Sequence, residues 1–115
     1  MASRHSPRSF LLRPKLFGKT GVRVEWHPRP TAVPQIDWFL ASALQHRFVI
    51  DIRAAIKTSD KYTTVPDFTT KVGVKYRTFN GMLNGSSVMS LEDIAMARRL
   101  LGIDLNVWGA PGATP

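Results

Sequence analysis

The sequence contains no cysteine among its 115 residues. A chain without thiols cannot form disulfides, hold zinc through cysteine or use a thiol nucleophile, so disulfide scaffolds, cysteine zinc fingers and cysteine-dependent enzymes are excluded. This absence is typical of a reducing compartment, and we expect a cytoplasmic protein. Long apolar runs are also missing, since the longest are only a few residues against the ~20 that a membrane-spanning helix needs. We therefore expect no membrane among its partners.

Acidic residues are scarce, with 8 Asp and Glu against 16 Lys and Arg, which gives a net charge of +8. The first 30 residues hold seven of the basic residues and one acidic residue, Glu25, so this region carries +6 of the total. Such an excess favours a polyanionic partner, above all nucleic acid. Apolar residues still make up 43% of the chain, which is enough for the core of one folded domain.

The pattern along the chain predicts a basic N-terminal arm ending in a proline-rich linker over residues 1–33, a helical domain over 34–108 and a flexible tail over 109–115. Within the arm, residues 1–9 are expected to be disordered. Residues 15–17 and 22–26 flank a glycine-containing turn, and the second run alternates apolar and polar side chains, which predicts a short β-hairpin. Two strands alone are marginal, so the hairpin must pack on the domain or bind a partner protein.

Apolar residues recur at three- and four-residue spacing over residues 34–57, which predicts a helix of about six turns. This helix is also apolar off that stripe, at Trp38, Val49 and Ile50. In a domain this small, a helix that is apolar on more than one face needs a second surface to pack against. Two alternatives remain open: the helix packs beneath the N-terminal hairpin, or it forms the contact of a homodimer.

Three shorter helices are predicted after the long one, which makes the expected fold mainly α with four to five helices. The first and third each begin beside a hydroxyl residue that can cap a helix, Thr64 and Ser90. Each of the three ends at a residue suited to a left-handed backbone. The predicted helices are 64–72, 75–83 and 90–101, and the residues that end them are Gly73, the pair Asn84-Gly85 and Gly102.

The first two of these short helices, joined by a tight turn over residues 72–74, are typical of a helix-turn-helix. The second helix turns its apolar residues toward the core, which leaves the opposite face outward with Lys75, Tyr76, Arg77 and Asn80. Arginine can donate two hydrogen bonds to guanine and asparagine can pair in the same way with adenine. This face therefore has the chemistry to read bases in a major groove.

The stretch from residue 64 to residue 104 resembles the Xre/Cro family of phage and bacterial repressors, the lambda-repressor-like DNA-binding domains. The resemblance covers about residues 44–105 and depends on the order and spacing of four features. They are a glycine in the turn, an Asn-Gly pair after the second helix, a serine cap and a Leu-Gly stop. In this chain they are Gly73, Asn84-Gly85, Ser90-Leu91-Glu92 and Leu101-Gly102-Ile103.

The resemblance implies a sequence-specific, double-stranded DNA-binding transcriptional regulator, in the first instance a repressor of a phage, plasmid or bacterial operon. The helix at 75–83 would enter the major groove, and a homodimer would read two half-sites ~34 Å apart. The implied base contacts are Lys75, Tyr76, Arg77 and Asn80, and the implied backbone contacts are Thr64, Lys71 and Asn84. From its charge, the arm is expected to add phosphate or minor-groove contacts through Arg4, Arg8 and Arg13.

Catalysis is not expected, because His5, His27 and His46 are scattered along the chain, and His46 is expected at the surface. No metal-ligand spacing, phosphate-binding glycine loop or activated serine is found, so we expect no metal, no cofactor and no enzyme. Two alternatives to a DNA regulator stay open. One is an antitoxin or adaptor that binds a protein through the hairpin, and the other is a basic RNA-binding protein.

Overall fold

The computed structural model describes residues 5–103, and this part of the chain is mainly helical, as expected. It forms four α-helices and two short 3-10 helices, and no strand occurs within the described range. The predicted bounds of all four α-helices agree with the observed ones within one residue. The α-helices are α1 (Gln35–Thr58), α2 (Val65–Val72), α3 (Tyr76–Leu83) and α4 (Leu91–Leu101), and the 3-10 helices are Pro7–Phe10 and Pro14–Leu16.

The predicted start and stop signals of α2 and α4 are confirmed in the hydrogen bonds at their ends. The Ser90 hydroxyl accepts from the Asp93 amide at 3.1 Å, while the Ser90 amide donates to the Asp93 carboxylate at 3.0 Å. This reciprocal capping box satisfies two amides that the first turn of α4 would otherwise leave unpaired. Gly73 and Gly102 end their helices with φ of 81° and 70°, a left-handed backbone that glycine adopts without strain.

The core lies where the four helices meet, and it is built around aromatic side chains. Phe48 of α1, Phe68 of α2 and Phe79 of α3 are each at most 1% exposed. The Phe68 and Phe79 rings lie 5.4 Å apart between centroids, which joins α2 directly to α3. Ala97 of α4 is also fully buried, so the small side chain lets this helix approach the others closely.

The β-hairpin predicted from residues 15–17 and 22–26 is wrong. Residues Pro14–Leu16 form a 3-10 helix instead, and the one β-type pairing among the described residues is an isolated antiparallel bridge between Leu11 and Trp26. Proline fixes φ near the helical value and lacks an amide for a strand ladder, so Pro14 favours a helical turn. Without the hairpin, the structure gives no support to a partner protein bound through it.

Residues 5–26, here called the N-terminal segment, pack on α1, so the disorder expected for residues 1–9 is wrong over residues 5–9. The Phe10 ring lies 5.7 Å from that of Phe39, and the imidazole of His5 stacks on Trp38 at 5.3 Å. Of the two ways to bury the second apolar face of α1, the structure therefore shows packing against the N-terminal segment. This packing buries part of Trp38, one of the residues on which the homodimer expectation depended.

His46 was expected at the surface, and that expectation is wrong. The side chain is only 8% exposed, and its Nδ1 accepts a hydrogen bond of 2.9 Å from the Gly18 amide. The ring also has edge contacts with Phe17 and Trp26, at 5.2 and 5.7 Å between centroids. Burial lowers the pKa of His46, because the charged imidazolium would lose its hydration. The polar neighbours of His46 in sequence were misleading, since the N-terminal segment covers this side of α1.

Arg4, the C-terminal end of the domain predicted over 34–108 and the tail at 109–115 fall outside the described residues. Between residues 5 and 103, no helix combines the length and apolarity needed to span a bilayer.

Candidate nucleic-acid interface

The packing of α3 determines which of its side chains face outward. Phe79, Met82 and Leu83 are at most 5% exposed and hold one face of the helix against the core. On the other side, Lys75, Tyr76 and Arg77 are exposed and Asn80 is half-buried. The structure thus brings together the four side chains predicted to contact bases, with the first three exposed at the start of α3.

The start of α3 is electropositive. Its first turn contains no acidic residue, whereas the first turns of α1, α2 and α4 contain Asp37, Asp67 and the pair Glu92 and Asp93. Lys75 occupies the cap position and makes no side-chain capping bond. The partial positive charge of the helix N-terminus therefore adds to the lysine beside it, and no carboxylate within that turn offsets the two. An anionic partner would be attracted here.

The turn between α2 and α3 is fixed by backbone hydrogen bonds to one carbonyl. The amides of Gly73 and Val74 both donate to the Thr69 carbonyl at 3.0 Å. Thr69 is itself 1% exposed, and its hydroxyl donates to the Pro66 carbonyl at 2.9 Å, so its polar atom is satisfied inside the core. The direction in which α3 leaves α2 is therefore defined by backbone hydrogen bonds to the buried Thr69.

Thr64 and Lys71, two predicted backbone contacts, lie at opposite ends of α2 and are linked through Asp67. The Thr64 hydroxyl accepts from the Asp67 amide at 3.1 Å. The Lys71 ammonium lies 3.2 Å from the Asp67 carboxylate and donates to the Lys61 carbonyl at 2.8 Å. A hydrogen bond from the Thr63 amide, and then the neighbouring Lys71, lower the pKa of Asp67. Both candidates are thus already engaged within the protein, and the carboxylate offsets the charge of Lys71.

Arg8 and Asn84, two further predicted backbone contacts, meet at the turn after α3. The carbonyl of Gly85 accepts from the Arg8 amide at 2.9 Å and from the Ser6 hydroxyl at 2.8 Å. Asn84 ends α3, and its side-chain oxygen accepts from the Ser86 amide at 3.0 Å. The backbone of Arg8 is thereby held beside the exit of α3, and its side chain is exposed.

Gly85 makes this approach possible. Its φ is 79°, and a Cβ at this position would lie 2.6 Å from the Phe17 ring and 2.9 Å from the Cβ of Arg8. Only glycine fits both the backbone conformation and the space. Arg13, also predicted to contact the DNA backbone, is exposed at the start of the second 3-10 helix, and no described hydrogen bond or ion pair joins its side chain to α3.

Gln45 of α1 is a positioning residue that the sequence reasoning missed. Its amide nitrogen donates to the carbonyls of Met82 at 2.8 Å and Ser87 at 3.0 Å, and its oxygen accepts from the Met89 amide at 2.8 Å. One buried side chain therefore ties the end of α3 and the following loop to α1. A signal was present, because Gln45 lies three residues before Phe48 on the apolar stripe, where a glutamine needs partners.

Arg53 of α1 was also missed. Its Nε is buried without a hydrogen-bond partner among residues 5–103. Burial lowers the pKa of Arg53, and an electrostatic interaction with Tyr76 partly opposes that effect. Spacing alone gave no sign of this burial, because it depends on how other elements pack against α1.

We compared the whole chain with known proteins. It matches no family model, no curated protein and no solved structure. The resemblance to the Xre/Cro family therefore stays a prediction that depends on its motifs and their spacing. Within the described range, no group of three or more His, Asp and Glu side chains could hold a metal ion.

Proposed function

We propose that the protein is a sequence-specific, double-stranded DNA-binding transcriptional regulator of the Xre/Cro type, in the first instance a repressor. In this proposal α2 and α3 form the helix-turn-helix and α3 enters the major groove. The observation that carries it is the outward face of α3, where Lys75, Tyr76, Arg77 and Asn80 lie opposite a fully anchored apolar face. A rigidly held helix can present side chains to base edges with a fixed register.

Sequence reading is assigned to the middle of that face. Arg77 has the donors for a bidentate contact with guanine, and Asn80 has the donor and acceptor for adenine. Lys75 and Tyr76, directly before Arg77 at the start of the helix, can reach a base edge or a phosphate oxygen. Each good bidentate pair discriminates against the wrong base by ~1–3 kcal/mol, so two such pairs suffice for a useful sequence preference.

Affinity without sequence preference is assigned to the backbone contacts. Arg8 is held beside Asn84 through the Gly85 carbonyl, so both can address phosphates next to the exit of α3. Arg4 and Arg13 would add phosphate contacts through their charge, and Thr64 retains a hydroxyl proton to donate. The carboxylate of Asp67 makes Lys71 the weakest of these candidates.

We further propose a cytoplasmic homodimer that associates with the nucleoid when bound. Leu40 and Leu44 lie one turn apart on α1 and remain 41% and 52% exposed, which supports a contact between copies at that face. Sedimentation equilibrium at tens of micromolar tests this part by itself, and a pure monomer, alone and on DNA, would contradict it.

Selection of bound sites from a random pool of duplex DNA tests the main proposal. We expect enrichment of a short motif, repeated with two-fold symmetry if the protein binds as a dimer. Competition with duplex RNA at the same salt concentration provides the control for charge alone. A pool that shows no enrichment, or RNA that competes as well as the selected DNA, would contradict sequence-specific DNA binding.

A further inference from the structure

The solvent-facing side of α1 carries a regular stripe of four exposed residues. Asp37, Leu40, Leu44 and Arg47 follow one another at spacings of three, four and three residues. At about 100° per residue, these spacings place all four within a sector of about 80° on the helix. The N-terminal segment packs against Phe39, on another side of α1, so it leaves this stripe uncovered.

The order along the stripe is an acid, two leucines and a base. Leu40 and Leu44 are 41% and 52% exposed. In the described part of the chain, Asp37 takes part in no ion pair. The Nε of Arg47 lies 4.0 Å from the Asp51 carboxylate, and the arginine side chain is 61% exposed, so this surface pair is weak and leaves the other guanidinium donors available. An exposed apolar pair is thus flanked by opposite charges at its two ends.

We propose that this stripe binds the same stripe of a second copy, with the two α1 helices antiparallel and centred level with residue 42. In this register Leu40 faces the partner's Leu44, and Asp37 faces the partner's Arg47. The two-fold axis repeats each contact, so the interface contains two leucine pairs and two ion pairs. This inference rests on the homodimer of the proposed function, and it adds the direction and register in which the copies meet.

Charge selects the antiparallel direction. In a parallel pair, Asp37 would face the partner's Asp37 and Arg47 the partner's Arg47, so like charges would meet at both ends of the stripe. Reversing one helix replaces both repulsions by attractions. Alternate spacings of three and four residues are also those of the a and d positions of a coiled coil, at which side chains of two helices interlock. The stripe is therefore complementary to itself only when the helices run in opposite directions.

The proposed contact is short. In this register the two helices overlap over residues 35–49, which is about 22 Å of helix. Ala41, beside the leucines, is small and exposed, so it allows the helices to approach closely. A stripe of about three turns buries less than the ~800 Å² per partner that is typical of stable complexes. We therefore expect a dimer that dissociates in the micromolar range and that two half-sites on one duplex would hold together.

Sedimentation equilibrium of charge-reversed variants tests the register without DNA. Asp37→Arg and Arg47→Asp each place like charges in both ion pairs, so each should raise the dimer dissociation constant by about tenfold or more. The double variant restores opposite charges and should dimerise like the wild type, as should an equal mixture of the two single variants. The matched control is Glu92→Arg, which makes the same charge change in the exposed first turn of α4 and should leave the constant unchanged.

The leucine contact and the direction of the helices have measurements of their own. Leu44→Ala should raise the dissociation constant by about tenfold, whereas Leu12→Ala, at a leucine that is 50% exposed outside α1, should not change it. Because the chain has no cysteine, Ala54→Cys gives a single site for a spin label on the exposed side of α1. The antiparallel register places the two labels about 36 Å apart, whereas a parallel pair would place them about 10 Å apart.

The outcomes separate this inference from the proposed function. A dimer that neither charge reversal weakens, a double variant as weak as the single ones, or labels about 10 Å apart would overturn the register and leave the homodimer standing. A pure monomer, alone and on DNA, would overturn the register together with the homodimer. DNA binding itself is decided by the site selection, whatever the oligomeric state. If Asp37→Arg does not fold, Arg47→Asp and the label distance decide.

Discussion

Replacing Gln45 by methionine should lower the free energy of unfolding of the domain substantially, because this one side chain makes several buried hydrogen bonds. Methionine has a similar volume and helix propensity, so the change leaves little cavity and removes mainly hydrogen bonds. Gln45 makes three of them, to the Met82 and Ser87 carbonyls and from the Met89 amide, all between 2.8 and 3.0 Å. At ~1 kcal/mol each, the loss is ~3 kcal/mol, and the buried Met89 amide left unpaired can add to it.

Chemical denaturation followed by circular dichroism measures this loss of free energy directly, and thermal unfolding measures the accompanying fall in Tm. A domain of this size shifts by about 4–8 °C per kcal/mol, so the Tm of Gln45→Met should fall by roughly 12–24 °C. The matched control is Gln35→Met, at the exposed first residue of α1, which should change the free energy of unfolding by less than ~0.5 kcal/mol. Because the bonds hold the end of α3, the folded fraction of Gln45→Met should also bind duplex DNA less tightly.

A loss of less than ~1 kcal/mol would refute this reasoning, since it would mean that the loop after α3 is not held by Gln45. A full loss of stability with unchanged DNA affinity per folded molecule would refute only the second step. In that case the turn after α3 would matter for the fold but not for the interface.

Three further predictions concern other parts of the molecule. The pKa of His46 is lowered from its ordinary value of 6.5, and its Nδ1 must be unprotonated to accept the hydrogen bond from Gly18. The contribution of neutral His46 to the free energy of unfolding is therefore complete above pH 6.5 and is lost as the pH falls below it. A titration of Tm against pH checks this, and His46→Asn, which keeps an acceptor but does not titrate, should flatten the acid side; an unchanged profile would contradict it. Gly85→Ala places a Cβ on a left-handed backbone and against the Phe17 ring, so it should lower the free energy of unfolding, measured in urea, by about 2–4 kcal/mol. Gly21→Ala has the same backbone strain, with φ of 74°, but open space around the Cβ, and should lower it by only about 1 kcal/mol. Equal costs at the two glycines would show that the close approach is not tight. Arg77→Ala should cost ~1–3 kcal/mol on the selected duplex and blur one position of the motif, and Arg99→Ala should not; equal effects on selected and random DNA would rule out base reading by Arg77.

The helices were predictable from the sequence because their determinants are local. Ser90 and Asp93 lie three residues apart, and Gly73 acts on the backbone at its own position. The core face of α3 followed from the same short-range periodicity. Such signals do not require knowledge of any other part of the chain.

The N-terminal segment was not predictable because its structure is decided by distant residues. The alternation at Val22, Val24 and Trp26 has the period of a strand, yet the segment is shaped by what it covers on α1. His46 was misjudged for the same reason, since its cover comes from Gly18 and Phe17, far away in sequence. The burial of Arg53 Nε likewise depends on tertiary packing that no spacing rule encodes.

The hydrogen bond from Ser6 to the Gly85 carbonyl joins residues 79 positions apart. Closing a loop of this length has an entropic cost that grows only slowly with the number of residues. Residues 5–26 also contact Phe39 and His46 of α1, so the segment bridges α1 and the turn after α3. A substitution that loosens the turn at Gly85 should therefore also weaken the packing of this segment on α1, although the two places are far apart in sequence.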